Sequence, residues 1–355
     1  MELNWVKTIF GPPDGRGWHV HSLVKWRDAY HIAFADGGGH DSDDSQVRIC
    51  TSTDLENWTS HLAIGQEQTG RFTSEPQLMA VGDRLYLYAV TADHHTQYDF
   101  PPHSRHPKFP SWEVMSWSED GISWSTPKRC YAANYDFWHP TENHGRYYVT
   151  CDGSGHAPEG VYTTVDLLTT KDGERWTWVS EILHGTEMPP AEESDYPQTP
   201  YPSESALVFL DRGRLLGISR TPSTAAVLST SDPPYEQWEH RVSQHAHVKG
   251  ATAARVGRHI VVTGRCSAAE RTEHAAGRFE EKFSEHDNTG TRTGVYLYED
   301  SDLQLQTVLP SGGDTGYGAI HPLSDTEFLV TYYSSHEYPP DKPGSNVYLA
   351  SLSLA

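Results

Sequence analysis

Cysteine is scarce in this chain. There are 4 in 355 residues, Cys50, Cys130, Cys151 and Cys266, far apart and without a Cys-x-x-Cys pair. That spacing argues against a disulfide scaffold and against a zinc site. Positive charge is short as well. Lys and Arg number 27 against 48 Asp and Glu, a formal net charge of −21 with the 21 histidines neutral. A surface this acidic repels nucleic acid and anionic membranes, so neither is expected as a partner. The histidines would gain positive charge at mildly acidic pH. No apolar run reaches the roughly 18 residues that a membrane-spanning helix needs. The opening MELNWVKTIF has neither the basic nor the apolar region of a signal peptide. The expectation is a soluble cytoplasmic protein, or a secreted one if a leader has been removed. No amphipathic helix of convincing length is visible either.

What the chain does have is aromatic and turn-forming residues: 11 Trp, 19 Tyr, 29 Gly and 23 Pro, in a sequence that is 36% hydrophobic. Such a composition suits an all-β protein or a carbohydrate binder. Hairpin signatures recur at 20–36, 76–90, 140–152, 205–219, 251–264 and 318–332. Each is an apolar run, a tight turn with Gly or Asp, and an alternating strand. Most are followed by a second signal. STDLENW (52–58), SEDGISW (118–124) and TKDGERW (170–176) share Ser/Thr-x-Asp with Trp four residues after the Asp, and TSDPPYEQW (230–238) is a stretched version. The Asp carboxylate suits capping of its own turn, and the Trp suits covering the hairpin's apolar side.

Six units of about 50–60 residues, each near four strands, predict an all-β, six-bladed β-propeller. All-β folds of this length form one unit, so a single domain over 1–355 is expected. WVKTIF (5–10) would supply the missing outer strand of the last blade. The polar stretches 92–111, 185–203 and 266–291 are long for turns and read as lids or disordered segments, with a short helix conceivable in 267–290.

In a propeller, the starts of the innermost strands and the ends of the second strands converge on a central funnel. Those positions give His19 and His21, Glu75, His139, Glu204 and Arg220, Lys249, Arg265 and Arg292, and Tyr317. Each has a plainer reading: Tyr317 as core filling, Glu204 as a solvated acid, the arginines as surface residues. A metal pair at His19 and His21 lacks a matching third ligand, and no metal or cofactor is expected.

The stretches SESALVFLDRGRLLGISR (203–220), RTGVYLY (292–298) and GGDTGYGAIHPLSDTEFLVTYY (312–333) resemble segments of sialidases. The Ser/Thr-x-Asp…Trp repeats resemble that family's Asp-boxes. The resemblance implies that Tyr317 is a nucleophile, that Glu204 takes its proton, and that Arg220 and Arg292 hold a substrate carboxylate. Sialidases are exceptions among glycosidases in using Tyr. A carboxylate nucleophile would be repelled by the substrate's own carboxylate, whereas a phenol activated by Glu is not. Arginine's planar fork suits the carboxylate. The first blade departs from the pattern: His19 stands where these enzymes place an Arg, and His21 where they place a Pro. Arg265 is a candidate to replace the missing Arg. The acid/base Asp should lie in DGGGHDSDDS (36–45), which offers Asp36, Asp41, Asp43 and Asp44, and spacing favours Asp43.

The expected activity is therefore a retaining exo-glycosidase acting on a terminal acidic sugar, sialic acid or a related ulosonic acid. Two alternatives stay open. One is a propeller-type polysaccharide lyase acting on uronate glycans, and the other is a non-catalytic carbohydrate-binding propeller.

Overall fold

The computed structural model describes residues 1–11, 15–39, 42–70, 72–92, 111–153, 164–185, 202–221, 225–244, 246–266, 290–339, 342 and 344–354. Each hairpin read from the sequence is the inner pair of a four-stranded antiparallel blade, and there are six blades. β1 (Glu2–Phe10) comes first in the chain but belongs to the last blade. Blade one is β2 (Gly17–Trp26), β3 (Ala29–Asp36), β4 (Gln46–Ser52) and β5 (Thr59–Ile64). Blade two is β6 (Phe72–Val81), β7 (Arg84–Ala92), β8 (Ser111–Ser118) and β9 (Lys128–Ala133). Blade three is β10 (Tyr135–Asn143), β11 (Arg146–Gly153), β12 (Thr164–Thr170) and β13 (Thr177–His184). Blade four is β14 (Ser203–Phe209), β15 (Leu215–Arg220), β16 (Val227–Ser231) and β17 (Glu239–Val242). Blade five is β18 (Lys249–Val256), β19 (His259–Cys266), β20 (Arg292–Glu299) and β21 (Asp302–Val308). Blade six has β22 (Thr315–Pro322), β23 (Glu327–Ser334) and β24 (Asn346–Ser353), and β1 is its outer strand. The pairs Glu2↔Ser353, Lys7↔Leu349 and Phe10↔Val347 close the ring with the first strand of the chain, as the stretch 5–10 predicted.

The core is not one mass. Every seam between neighbouring blades has its own buried cluster, because each blade is apolar on both faces. Val47, Ile49 and Ala33 meet Leu78, Leu85 and Leu87 between blades one and two, and Leu216, Ile218 and Leu228 meet Ile260, Val262 and Tyr296 between blades four and five. Each of the Val, Leu and Ile side chains stabilises the seam by roughly 1.5–3 kcal/mol on burial.

The Ser/Thr-x-Asp turns join the third and fourth strands, at the face of the disc away from the starts of the inner strands. Asp120 Oδ1 accepts the N–H groups of Ile122 at 2.8 Å and Ser123 at 2.7 Å. Asp54 does the same for Glu56 and Asn57, and Asp172 for Glu174 and Arg175. The following Trp has a larger task than covering its own hairpin. Trp124 packs into the seam between blades one and two, Trp176 into that between two and three, and Trp238 into that between three and four. Each therefore locks its blade to the preceding one. Blade five lacks the Trp and turns tightly through Asp300 and Ser301, both at positive φ. The stretches 92–111, 185–203 and 266–291, read as lids, and the short helix at 267–290 fall almost wholly outside the described residues.

Candidate active site

Every inner strand breaks register once, between Trp18 and Ser22, Ser74 and Gln77, Trp138 and Thr141, Ser203 and Ala206, Lys249 and Thr252, and Gly316 and Ala319. At each break one residue has a left-handed backbone: His19 (φ 48°), Glu75 (53°), His139 (46°), Glu204 (46°), Gly250 (60°) and Tyr317 (45°). A bulge re-aims a side chain. Holding a non-glycine residue at positive φ costs about 1–2 kcal/mol. Five of these six positions carry an imidazole, a carboxylate or a phenol, and all five stand at equivalent places around the axis. Strain of this kind concentrates where function demands a fixed geometry.

Tyr317 is 8% exposed. Its hydroxyl donates to Glu204 Oε1 at 2.9 Å, and Arg220 Nη1 donates to the same oxygen while lying 3.5 Å from the phenol oxygen. The backbone N–H of Glu204 donates to the Asp152 carboxyl, at the end of β11. Burial, with the Glu204 charge added, pushes the Tyr317 phenol well above its ordinary range, and Arg220 and Arg265 pull it part of the way back. The phenol is thus protonated at rest, with a carboxylate placed to receive its proton. Burial likewise pushes Asp152 well above the usual carboxylate range, against the pull of the Glu204 N–H.

The phenol ring is fixed from several sides. Tyr333 stacks on it, 5.7 Å between centroids at 12°. His21 lies at 5.1 Å, His19 at 5.4 Å and Trp138 at 5.5 Å. Gly250 makes room on another side, since a Cβ there would fall 2.8 Å from Tyr317 Cδ1. Arg265 sits 5.5 Å from the ring centre and is held by Asp314 Oδ1 at 2.8 Å, the Thr315 carbonyl at 2.6 Å and the Tyr333 hydroxyl at 3.1 Å. Its charge is therefore shared with Asp314. Arg292 is buried at the head of β20, its Nη1 donating to the Thr291 carbonyl at 2.7 Å.

His19 and His21, which flank the phenol, are joined by His139 of blade three. His19 Nδ1 pairs with Ser74 Oγ at 2.7 Å. His21 and His139 lie 6.0 Å apart and line an axial cavity of about 110 Å³. Burial lowers His139 to about 3, so this ring is neutral. Glu75 is half-buried. Among the described residues, no group of three or more His, Cys, Asp or Glu is arranged to hold a metal ion.

The acidic loop presents a mixed picture. Asp36 is clamped by Arg16 Nε and Arg48 Nε, each at 2.9 Å. Asp44 resists ionisation through partial burial, but Ser42, the Gly38 N–H and Arg16 outweigh this and bring it to about 2. Asp43 is exposed in a turn, its carbonyl accepting from Gln66 Nε2. Asp41 lies outside the described residues.

Sequence reasoning missed Asp152, Tyr333, Asp314 and Trp138. The rule that picked Arg220 and Arg265, the ends of second strands, would have found Asp152 in blade three and Tyr333 in blade six. The companion rule, the starts of inner strands, named Lys249 where the left-handed position of blade five is Gly250.

No family model and no curated protein matches the sequence significantly. Solved structures do match it. A Dyadobacter fermentans protein of unknown function is 14% identical at a TM-score of 0.74, over 100% of this chain and 99% of that one. A mutant Trypanosoma rangeli sialidase displaying trans-sialidase activity is 11% identical at 0.66, over 98% of this chain and 58% of that one. The phage phi92 endosialidase is 13% identical at 0.60, over 99% of this chain and 69% of that one. This chain thus spans little more than half of the trypanosomal enzyme. At these identities the likeness concerns the fold, which is the sialidase-like six-bladed β-propeller.

Proposed function

We propose that this protein is a retaining exo-glycosidase acting on a terminal acidic sugar of the ulosonic type. The observation that carries the reading is the Tyr317–Glu204 hydrogen bond of 2.9 Å, with Arg220 on the same carboxylate oxygen and both partners held at positive φ. An ordinary core tyrosine needs neither a strained backbone nor a half-buried carboxylate partner.

In this reading Tyr317 attacks the anomeric carbon as its proton passes to Glu204. Arg220 steadies the carboxylate that accepts the proton and stands ready for the acid group of the sugar. Tyr333 and Trp138 hold the phenol at its attack angle. A water then cleaves the glycosyl–tyrosine bond and returns the configuration to its starting sense. His19 replaces the arginine usual at this place in sialidases, so the acid group has one fewer guanidinium to bind. A ulosonic acid other than the common sialic acids fits that change.

The wall formed by His19, His21 and His139 favours one further reading, a lyase in which an imidazole or Tyr317 takes the C5 proton of a uronate. The test is release of 4-methylumbelliferone from a panel of ulosonic and uronic glycosides by wild type and Tyr317→Phe. Release from an ulosonic glycoside, reduced on the order of 10³-fold or more in the variant, is the expected result. Unsaturated products from uronate polymers, with no ulosonic hydrolysis, would replace the reading by the lyase.

A further inference from the structure

The phenol of Tyr317 must bear negative charge twice in the proposed chemistry, as it attacks and again as it leaves. Arg265, at the end of β19 in blade five, sets a cation against its ring, with the guanidinium carbon 5.5 Å from the ring centre. The hydrogen bonds of Arg265 go to blade six and the turn before it. Nε donates to the carbonyl of Thr315, two residues before Tyr317, at 2.6 Å. Nη2 donates to Asp314 Oδ1 at 2.8 Å and to the Tyr333 hydroxyl at 3.1 Å. The Tyr333 hydroxyl donates to the same Asp314 oxygen at 2.8 Å, which closes a triangle of side chains. Tyr333 is also the ring stacked on Tyr317. A Cβ on Gly316 would fall 3.3 Å from Arg265 Cβ, so the arginine packs closely against the chain just before the phenol.

These bonds decide what the side chain can do. The Nε proton and both Nη2 protons are taken, which leaves only the protons of Nη1. Two protons on one nitrogen diverge and cannot grip a carboxylate through two parallel bonds. Asp314 also balances the charge that an incoming anion would seek. Arg265 is thus a poor clamp for the acid group of the sugar. A fixed cation on the face of an aromatic ring is attracted to it all the same, and more strongly once the ring carries negative charge. Burial does most to keep the phenol protonated, and Glu204 and Glu75 add to it, whereas Arg220 and Arg265 pull the other way. His19 and His21 of blade one and Tyr333 of blade six complete the titratable groups against the ring.

We propose that Arg265 is a positioning residue for Tyr317 whose charge stabilises the phenolate as it leaves in the second step, a role that rests on the glycosidase reading above. With a 4-nitrophenyl glycoside, the Tyr317 oxygen first bonds to the anomeric carbon while its proton goes to Glu204, and nitrophenolate departs with the electron pair of the broken C–O bond. In the second step a water oxygen bonds to the anomeric carbon and the glycosyl–Tyr317 bond breaks. Its electron pair goes to the phenol oxygen, which takes back the proton held by Glu204, and the proton lost by the water passes to solvent. In the first step the Arg265 charge eases proton loss but weakens the oxygen as a nucleophile, so the two effects offset. In the second step the phenolate is the leaving group, and the same charge only helps.

The experiment has two readouts on wild type, Arg265→Gln, Arg265→Lys and Asp314→Asn. The first is the pH titration of 3,5-difluorotyrosine incorporated in place of Tyr317, followed by fluorine NMR. Arg265→Gln should raise its midpoint by about 1 pH unit, Arg265→Lys by less, and Asp314→Asn, which frees the arginine's charge, should lower it. A mere brace would not give shifts of opposite sign. The second is turnover of the 4-nitrophenyl glycoside of a ulosonic acid and of its methyl ester. Arg265→Gln should lower kcat by about 10–30-fold. KM should fall with it as glycosyl-enzyme accumulates, and kcat/KM should change little. An unmoved titration in Arg265→Gln, or shifts of the same sign in Arg265→Gln and Asp314→Asn, would overturn the assignment. So would a loss of kcat/KM on the acid that is absent on its ester, which would give Arg265 to the sugar's acid group. Absence of turnover by the wild type would overturn the glycosidase reading and the second-step role with it, while the fluorophenol titration still reads the Arg265 contact by itself.

Discussion

Gly250→Ala tests the packing around Tyr317 without touching a polar group. The added Cβ falls 2.8 Å from Tyr317 Cδ1 and 2.9 Å from Cε1, and φ at this position is +60°. The ring has no easy retreat, since Tyr333, His21 and Trp138 surround it at 5.7, 5.1 and 5.5 Å between centroids. The left-handed backbone costs an alanine about 1–2 kcal/mol. Overpacking against a hemmed-in ring adds about 1–3 kcal/mol. The sum is about 2–5 kcal/mol, read from urea midpoints at constant slope. A shift of the phenol by even 1 Å costs about 10²-fold in rate, so activity should fall more steeply than stability. A double-mutant cycle with Tyr317→Ala separates the two contributions. Backbone strain persists when the ring is gone, whereas the clash does not, so the coupling should be about 1–3 kcal/mol. Additive losses would refute the contact and with it the argument that blade five carries glycine to admit the phenol.

Acid sensitivity should trace in part to His139. Burial holds its folded pKa at about 3, below the value of about 6.5 in an unfolded chain. Its contribution to stability is therefore complete above about pH 6.5 and is lost as pH falls toward 3. Between pH 6.5 and 4.5 the loss is about 2–3 kcal/mol. His139→Gln should lose less stability than wild type over that range in urea titrations; an equal loss would contradict the assignment. Arg220→Lys removes a planar two-pronged donor. Discrimination between an acidic glycoside and its methyl ester, measured as a ratio of kcat/KM, should drop about 10–100-fold. An unchanged ratio would place the sugar's acid group elsewhere.

Much of the architecture was legible because the signals are local. Hairpin patterning gave the six inner pairs, and 5–10 stood out as a strand with no partner nearby, which is β1 on β24. The Ser/Thr-x-Asp turns were readable for the same reason, since Asp120 bonds to N–H groups two and three residues on. The role of Trp124 was not, because its partners lie in another blade. The site shows the same divide. Strand starts named His19, Glu75, His139, Glu204 and Tyr317, which the structure sets at equivalent left-handed bulges. A bulge leaves no mark on hydrophobic alternation beyond a one-residue slip, so Lys249 was read in place of Gly250. Contacts that join distant segments, such as Asp152 to the Glu204 N–H and Asp314 to Arg265, have no sequence signature at all.

The most direct test of the central claim is to trap the nucleophile. Wild-type protein and Tyr317→Phe would be incubated with fluorinated ulosonyl fluorides, which accumulate a glycosyl-enzyme, and analysed by intact mass and peptide mapping. The account predicts one added sugar in the wild type, mapped to Tyr317, and none in the variant. An adduct on another residue, or glycoside turnover that persists undiminished in Tyr317→Phe, would contradict it.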